Sequence, residues 1–227
     1  IRVFLAGALE ATTSYASWAI AHLSRNAAAQ ERLAREISAI DEYSPEALAG
    51  AASLAHVLDE TLRLTPALYF HPRRATCDRW VETADGRTLL VPKGTHVLLA
   101  VWHANRHDDH WGVGATGFPA EEFHPERWER QAQDGRATNE LPHFGFGHGP
   151  RFCPGKNLGQ LEVALVVGAC VKLFEVEAVT PDNPARAGVS TKPLDGVAVR
   201  LRLRPRHRAA PSAQAPTPAP TRCPFGH

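Results

Sequence analysis

Phe146-Gly147-His148-Gly149-Pro150-Arg151-Phe152-Cys153-Pro154-Gly155 is the stretch on which the fold turns. One cysteine, Cys153, stands in a loop crowded with glycine and closed by Pro154-Gly155. Leu158, Leu161, Leu165 and Ala169 then recur at helical spacing, so a helix is expected to begin just after the loop. A cysteine ahead of a helix N-terminus feels a partial positive charge that favours thiolate over thiol. Gly147, Gly149 and Gly155 allow tight turns and a close approach to a bulky ligand. Arg151 can meet an anionic group of that ligand, and Phe146 can cover its apolar part. By default a lone cysteine is a small buried hydrophobe. That reading would leave the glycines, the arginine and the helix as coincidences. A thiolate, an apolar shelf and a cation so close together suit a haem iron with a cysteine axial ligand.

The same stretch resembles the haem-binding loop of the cytochrome P450 family, which reads Phe, small residue, any, Gly, any, Arg, any, Cys, any, Gly. Phe146, Gly147, Gly149, Arg151, Cys153 and Gly155 match every fixed position. The resemblance implies haem b (iron protoporphyrin IX) as cofactor, with Cys153 as the proximal iron ligand.

Composition bounds the rest. The 227 residues suffice for one or two ordinary domains. Forty-four per cent hydrophobic and 22 per cent charged residues make a soluble globular balance. A net charge of +1 gives no long-range field to draw nucleic acid, and no nucleic-acid partner is expected. Four cysteines (Cys77, Cys153, Cys170, Cys223) are too scattered for a disulfide framework. No apolar run reaches the roughly 18 residues of a membrane span. The sequence has no Met and starts inside an apparent helix. It therefore reads as a fragment, with a membrane anchor upstream left open. High Ala and Arg lean toward a soluble, cytoplasmic, bacterial protein.

Residues 1–25 read as one long helix, with Leu5, Leu9, Ala16, Ile20 and Leu23 at helical spacing. Ala6, Gly7 and Ala8 thin it, so something flat can lie against it. Taken alone it is an Ala-rich core helix whose Thr and Ser hydroxyls bond back to carbonyls. Beside the cysteine loop it resembles the family's distal helix, and Glu10 and Thr12 are then implied as the catalytic pair that supplies protons to bound oxygen. The family usually has Thr directly after the acid; here Ala11 takes that place, and Thr12 follows about 100° further round. Thr12 substitutes through a local distortion, or water or a substrate hydroxyl carries the proton, or oxygen activation couples poorly to product.

A second helix is expected over residues 27–39. Ser44 reads as an N-cap with Pro45 at the first helical position, and a helix is expected from about Pro45 or somewhat later to Leu64, with Leu54, Leu58 and Leu62 inward. Glu60 and Arg63 share a face, ordinarily a surface ion pair worth little. The family carries this Glu-any-any-Arg upstream of its cysteine loop. The resemblance implies that Arg127, in Pro125-Glu126-Arg127-Trp128, joins Glu60 and Arg63 in a buried structural network.

Between them lies a β region. Val81–Thr83 and Thr88–Val91 form a hairpin about Asp85-Gly86, and Thr95–Val101 another strand. Arg73 stands where the family places a haem-propionate contact, with Arg74 beside it. Trp111–Phe123 reads as an extra loop and residues 130–142 as a surface meander. Phe174–Val179 and Val197–Leu203 are strands joined by a loop. The Pro- and Ala-rich residues 204–227 are expected to be disordered, with Cys223 and His227 too poor a pair for a metal site. The fold class is mainly α with small β-sheets (α+β), the C-terminal half of a cytochrome P450 domain over residues 1–203.

By resemblance the chain is part of a haem-thiolate monooxygenase that inserts one atom of O2 into a small organic substrate. A ferredoxin or flavoprotein reductase would donate electrons, with Lys156 and Arg136 as candidate docking charges. Other readings are a peroxygenase or isomerase, which Ala11 favours, and an inactive truncated copy. The fragment alone is expected to be inactive.

Overall fold

The computed structural model describes residues 2–133, 143–180 and 182–205. The first helix, α1 (Arg2–Leu23), turns into α2 (Ala27–Ser38) at Asn26, whose Oδ1 accepts from the Ala29 amide at 2.9 Å. Ser44 caps α3 (Pro45–Ala49) by accepting from Ala47 N at 3.2 Å. The helix expected from about Pro45 or somewhat later to Leu64 is α4, which runs Ala52–Leu64, with a separate short α3 ahead of it that stops at Gly50. On one continuous helix Leu48 and Leu54 would point about 120° apart. The break lets both enter the core, where Ala51 is also buried.

Two antiparallel pairs follow. The hairpin of β2 (Arg79–Glu82) and β3 (Thr88–Val91) matches its expected position, and Gly86 turns it with φ of 78°. β4 (His96–Leu99) pairs instead with β1 (His71–Arg74), a strand that sequence reading missed. Pro72 inside β1 removes a donor and demotes the pattern. Three short helices come next: α5 (Val101–Ala104), α6 (Asp108–Trp111) and α7 (Val113–Thr116). The "extra loop" from Trp111 to Phe123 thus has helical structure. α8 (Glu126–Gln133) takes the first residues of the expected meander, and residues 134–142 lie outside the described residues.

The long α9 (Lys156–Leu173) begins where expected. Its buried face is not the leucine stripe, however. Val163, Ala164, Val167, Gly168 and Val171 face the core, while Leu158 is 61% exposed. α9 is apolar nearly all round, so spacing alone does not choose a face. Small residues decide it: a Cβ on Gly168 would lie 2.5 Å from Tyr43 Oη, which donates to Leu165 O at 2.7 Å. Together α1, α2, α4 and α9 enclose one core around Leu23, Leu33, Ile37, Leu54, Leu62 and Val163.

β5 (Phe174–Ala178) pairs antiparallel with β8 (Val199–Leu203), and the loop between them carries a small pair of its own, β6 (Ala185–Arg186) with β7 (Lys192–Pro193). Arg204, assigned to the tail by composition, is bound to the fold through Leu173 O, Phe174 O and Glu31. Residues 206–227, with Cys223, lie outside the described residues.

Gln30 staples the β5 strand to the helices. Its Nε2 donates to Leu23 O at 3.0 Å and Val176 O at 2.8 Å, and its Oε1 accepts from Val176 N at 2.8 Å. Gln30→Leu fills the volume but strands these buried groups. It is expected to cost about 2–4 kcal/mol, read as a lower denaturant midpoint with an unchanged slope.

Candidate functional site

The site is built on a buried charge network. α4 carries Glu60 and Arg63, the start of α8 carries Arg127, and all three side chains are 0% exposed. Glu60 Oε1 accepts from Arg63 Nη2 at 2.8 Å, Arg127 Nε at 2.8 Å and the His124 amide at 2.9 Å. Oε2 accepts from Arg63 Nε at 2.8 Å and Trp128 Nε1 at 3.0 Å. One carboxylate faces two guanidiniums, so the remaining donors need neutral acceptors. Arg63 gives its others to the carbonyls of Asn105, Ala120 and Glu122. Arg127 gives its others to Trp111 O, Thr116 Oγ1, Pro119 O and Glu122 O. Each arginine thereby uses all of its five N–H donors. Burial pushes the Glu60 carboxyl up, but the Arg63 bonds and the charges of Arg63 and Arg127 outweigh it and hold it below its usual range. Sequence reasoning found the three charged residues and missed their acceptors. The 105–122 segment supplies those acceptors.

This network reaches the cysteine loop through Asn105. Its carbonyl accepts from Arg63, and its Oδ1 accepts from the Phe144 amide at 3.3 Å. Gly145 lets the loop rest on α4, since a Cβ there would lie 2.9 Å from Leu62 Cβ and 2.6 Å from His143 Cε1. The loop then turns at Gly147 (φ 78°) and Gly149 (φ 68°). Cys153 N donates to Phe146 O at 2.9 Å, and Cys153 O accepts from Lys156 N at 3.4 Å, at the entrance to α9. The Cys153 side chain is free and part-exposed. Phe146 meets Tyr15 of α1 edge-to-face, with ring centres 6.4 Å apart.

The remaining candidates fall around this loop. His71 of β1 packs on Gly147, and Arg73 follows two residues on, so both share one face of the strand. Arg73 is half-buried and donates to Pro72 O at 2.9 Å; Arg151 is exposed. Lys156, expected as a docking charge, folds over the rings of Phe152 and Phe146 at 5.6 and 6.0 Å. Arg136 lies outside the described residues.

α1 does not bring its two candidates together. It is helical throughout Arg2–Leu23, without the local distortion that would bring Thr12 into the usual place. Glu10 and Thr12 therefore point about 160° apart. Glu10, Ser14 and Trp18 form one stripe and bond the segment 190–192. Leu5 and Leu9 stay 66% and 70% exposed.

A titratable cluster that sequence reading missed lies beneath the loop. Burial raises Asp59 to about 6 and lowers His143 to about 4, and their Oδ1 and Nε2 atoms stand 4.0 Å apart. Tyr15 Oη is buried with no hydrogen-bond partner among the described residues. Burial and the charge of Asp59 hold its phenol well above the usual range.

The donor set fits haem. Among the described residues no trio of His, Cys, Asp or Glu could hold a metal ion. Cys153 offers one part-exposed free sulfur, and its neighbour in sequence, Phe152, is exposed. One soft protein ligand beside an apolar surface suits an iron whose other donors come from a macrocycle.

A sequence model of the family described as Cytochrome P450 matches residues 1–196. The chain belongs to the cytochrome P450 family. It is 32% identical over 214 residues to the cytochrome P450 monooxygenase ptmK of Penicillium ochrochloron, covering 89% of this chain and 40% of that protein. It is 32% identical over 222 residues to the cytochrome P450 monooxygenase FSL4 of Gibberella zeae, covering 89% and 38%. It is 28% identical over 218 residues to the ent-isokaurene C2/C3-hydroxylase of Oryza sativa subsp. japonica, covering 92% and 40%. The chain thus spans about two-fifths of the length of these P450 relatives. They come from fungi and a plant, and the bacterial origin expected from composition finds no support. Among the described residues no helix is long and apolar enough to cross a membrane.

Two outcomes are expected. Glu60→Gln leaves two buried guanidiniums without a counter-charge and should cost about 3–5 kcal/mol in chemical denaturation. Asp59 has a raised pKa, so its burial penalty is absent in acid and full once the pH exceeds about 6. Asp59→Asn is therefore expected to stabilise by about 1–2 kcal/mol near pH 8 and to change little near pH 4, read from paired melting curves.

Proposed function

We propose that this chain forms the haem-thiolate part of a monooxygenase that places one oxygen atom of O2 on a small organic substrate. The position of Cys153 carries the reading. Of the described cysteines, Cys77 stands on an exposed loop, and burial pushes the Cys170 thiol up. Cys153 alone sits on a glycine loop at the mouth of a long helix.

When bound, haem b would supply the oxygen activation, helped by electron donation from the axial thiolate. The chain's own residues do the rest. Cys153 would ligate the iron, on a backbone held by its N–H bond to Phe146 O. Phe146, Gly147, Gly149 and Gly155 shape the shelf, and Arg151 and Arg73 are the cations for the propionates. Glu10 supplies protons. Thr12, on the far side of α1, acts separately from it or through water. A ferredoxin or flavoprotein reductase donates electrons. The pairing of Glu10 described below favours, as a second reading, a peroxygenase that needs no proton relay; turnover with hydrogen peroxide but not with O2 and an electron donor would select it.

The ligand assignment is checked by the reduced, carbon monoxide-bound spectrum of the complete haem-loaded protein. A thiolate-type Soret band is expected for the parent and for Cys77→Ser and Cys170→Ser. Cys153→His is expected to abolish it, and an unchanged band in Cys153→His overturns the assignment.

A further inference from the structure

Glu10 does not stand free. Its Oε2 lies 2.6 Å from Lys192 Nζ and 3.2 Å from Ser190 Oγ. Both partners come from one short segment on the far side of the sequence, where a bend ending at Ser190 leads into β7. That segment is held in place by its middle residue, independently of Glu10. The Thr191 carbonyl accepts from Ser14 Oγ and from Trp18 Nε1 at 3.1 Å, one and two turns further along α1. The Thr191 amide donates to Ala67 O at 2.9 Å, and its hydroxyl bonds the carbonyls of Pro66 and Ala67. Ser14 and Thr191 are buried. Ser190 and Lys192 flank Thr191, so fixing Thr191 keeps both side chains beside the same carboxylate.

We propose that Ser190 and Lys192 are positioning residues for Glu10. They bind its Oε2 and aim the carboxylate at the 190–192 segment, so that Glu10 takes up a proton less readily while this pair is closed. The second half of the inference rests on reading Glu10 as the proton source; the first half does not. The hydrogen bonds from Lys192 and then Ser190 hold the Glu10 carboxyl below its usual range, and Lys192 is the charged group acting on it. Both partners bind Oε2, and the ammonium beside it disfavours a proton on either oxygen of the carboxyl. In the proposed step a solvent proton binds Glu10 as Lys192, still protonated, turns to water. Glu10 passes that proton on and the pair re-forms. Glu10 and Lys192 are each part-exposed, so the pair opens at modest cost.

The test uses the complete, haem-loaded protein in its diamagnetic reduced, carbon monoxide-bound form, with carboxyl-labelled glutamate. The Glu10 resonance is identified by its loss in Glu10→Gln. Lys192→Gln is expected to move the Glu10 titration midpoint upward, and Lys192→Arg to bring it back close to the parent. Ser190→Ala is expected to move it in the same direction by less. A midpoint that does not move in Lys192→Gln overturns the proposal. In parallel, the pH dependence of product formed per O2 consumed is expected to shift with that midpoint. A moved midpoint with an unmoved coupling profile upholds the positioning role and overturns the role of Glu10 as the proton source.

Discussion

The carboxylate of Glu60, between two guanidiniums in a dry interior, constrains this structure most. A lone buried ion would be costly, and a single counter-ion would still leave donors unsatisfied. The solution spreads positive charge over a cage of carbonyls from Asn105 to Glu122 and closes it with Trp128 Nε1. The chain between β4 and α8 therefore has little freedom: it must bring those oxygens to those nitrogens. The short helices α6 and α7 are the way it does so.

Two supports reach the candidate site, and only the first of them comes from that cage. Asn105 and the bare backbone of Gly145 seat the cysteine loop on α4. The Thr191 carbonyl and amide fix the 190–192 segment between α1 and the chain after α4. The two faces expected to enclose the P450 haem are thus anchored separately, and Tyr15 on Phe146 is where they touch. Leu5 and Leu9 on α1, Phe152 in the cysteine loop and Leu158 on α9 stay exposed. Their apolar area has a natural use against a flat macrocycle or its substrate.

Much of this was legible in the sequence, for identifiable reasons. The cysteine loop announces itself by glycines that only a tight turn needs. The long helices follow from unbroken apolar periods, and the 79–91 hairpin from its Asp-Gly turn. Other features carry no local signal. β1 hides behind Pro72, and the break at Gly50-Ala51 serves the burial of Leu48 and Leu54 together. The inward face of α9 carries no local signal, because its apolar residues surround the helix. The Asp59, His143 and Tyr15 cluster could not be read, because its members lie on three distant segments.

The sequence by itself determined the residues with unusual chemistry and their order: a cysteine before a helix, an acid three residues before an arginine, an acid on the first helix. Those are properties of neighbours along the chain. Tertiary structure decided which partners each one meets. It gave Arg63 and Arg127 their carbonyl acceptors, seated Lys156 over two aromatic rings, and committed Glu10 to Lys192 rather than to Thr12. The physical reason is that a buried or bound charge is satisfied by whatever atoms folding brings within hydrogen-bond distance, and most of those atoms are backbone oxygens or remote side chains with no signature in the sequence.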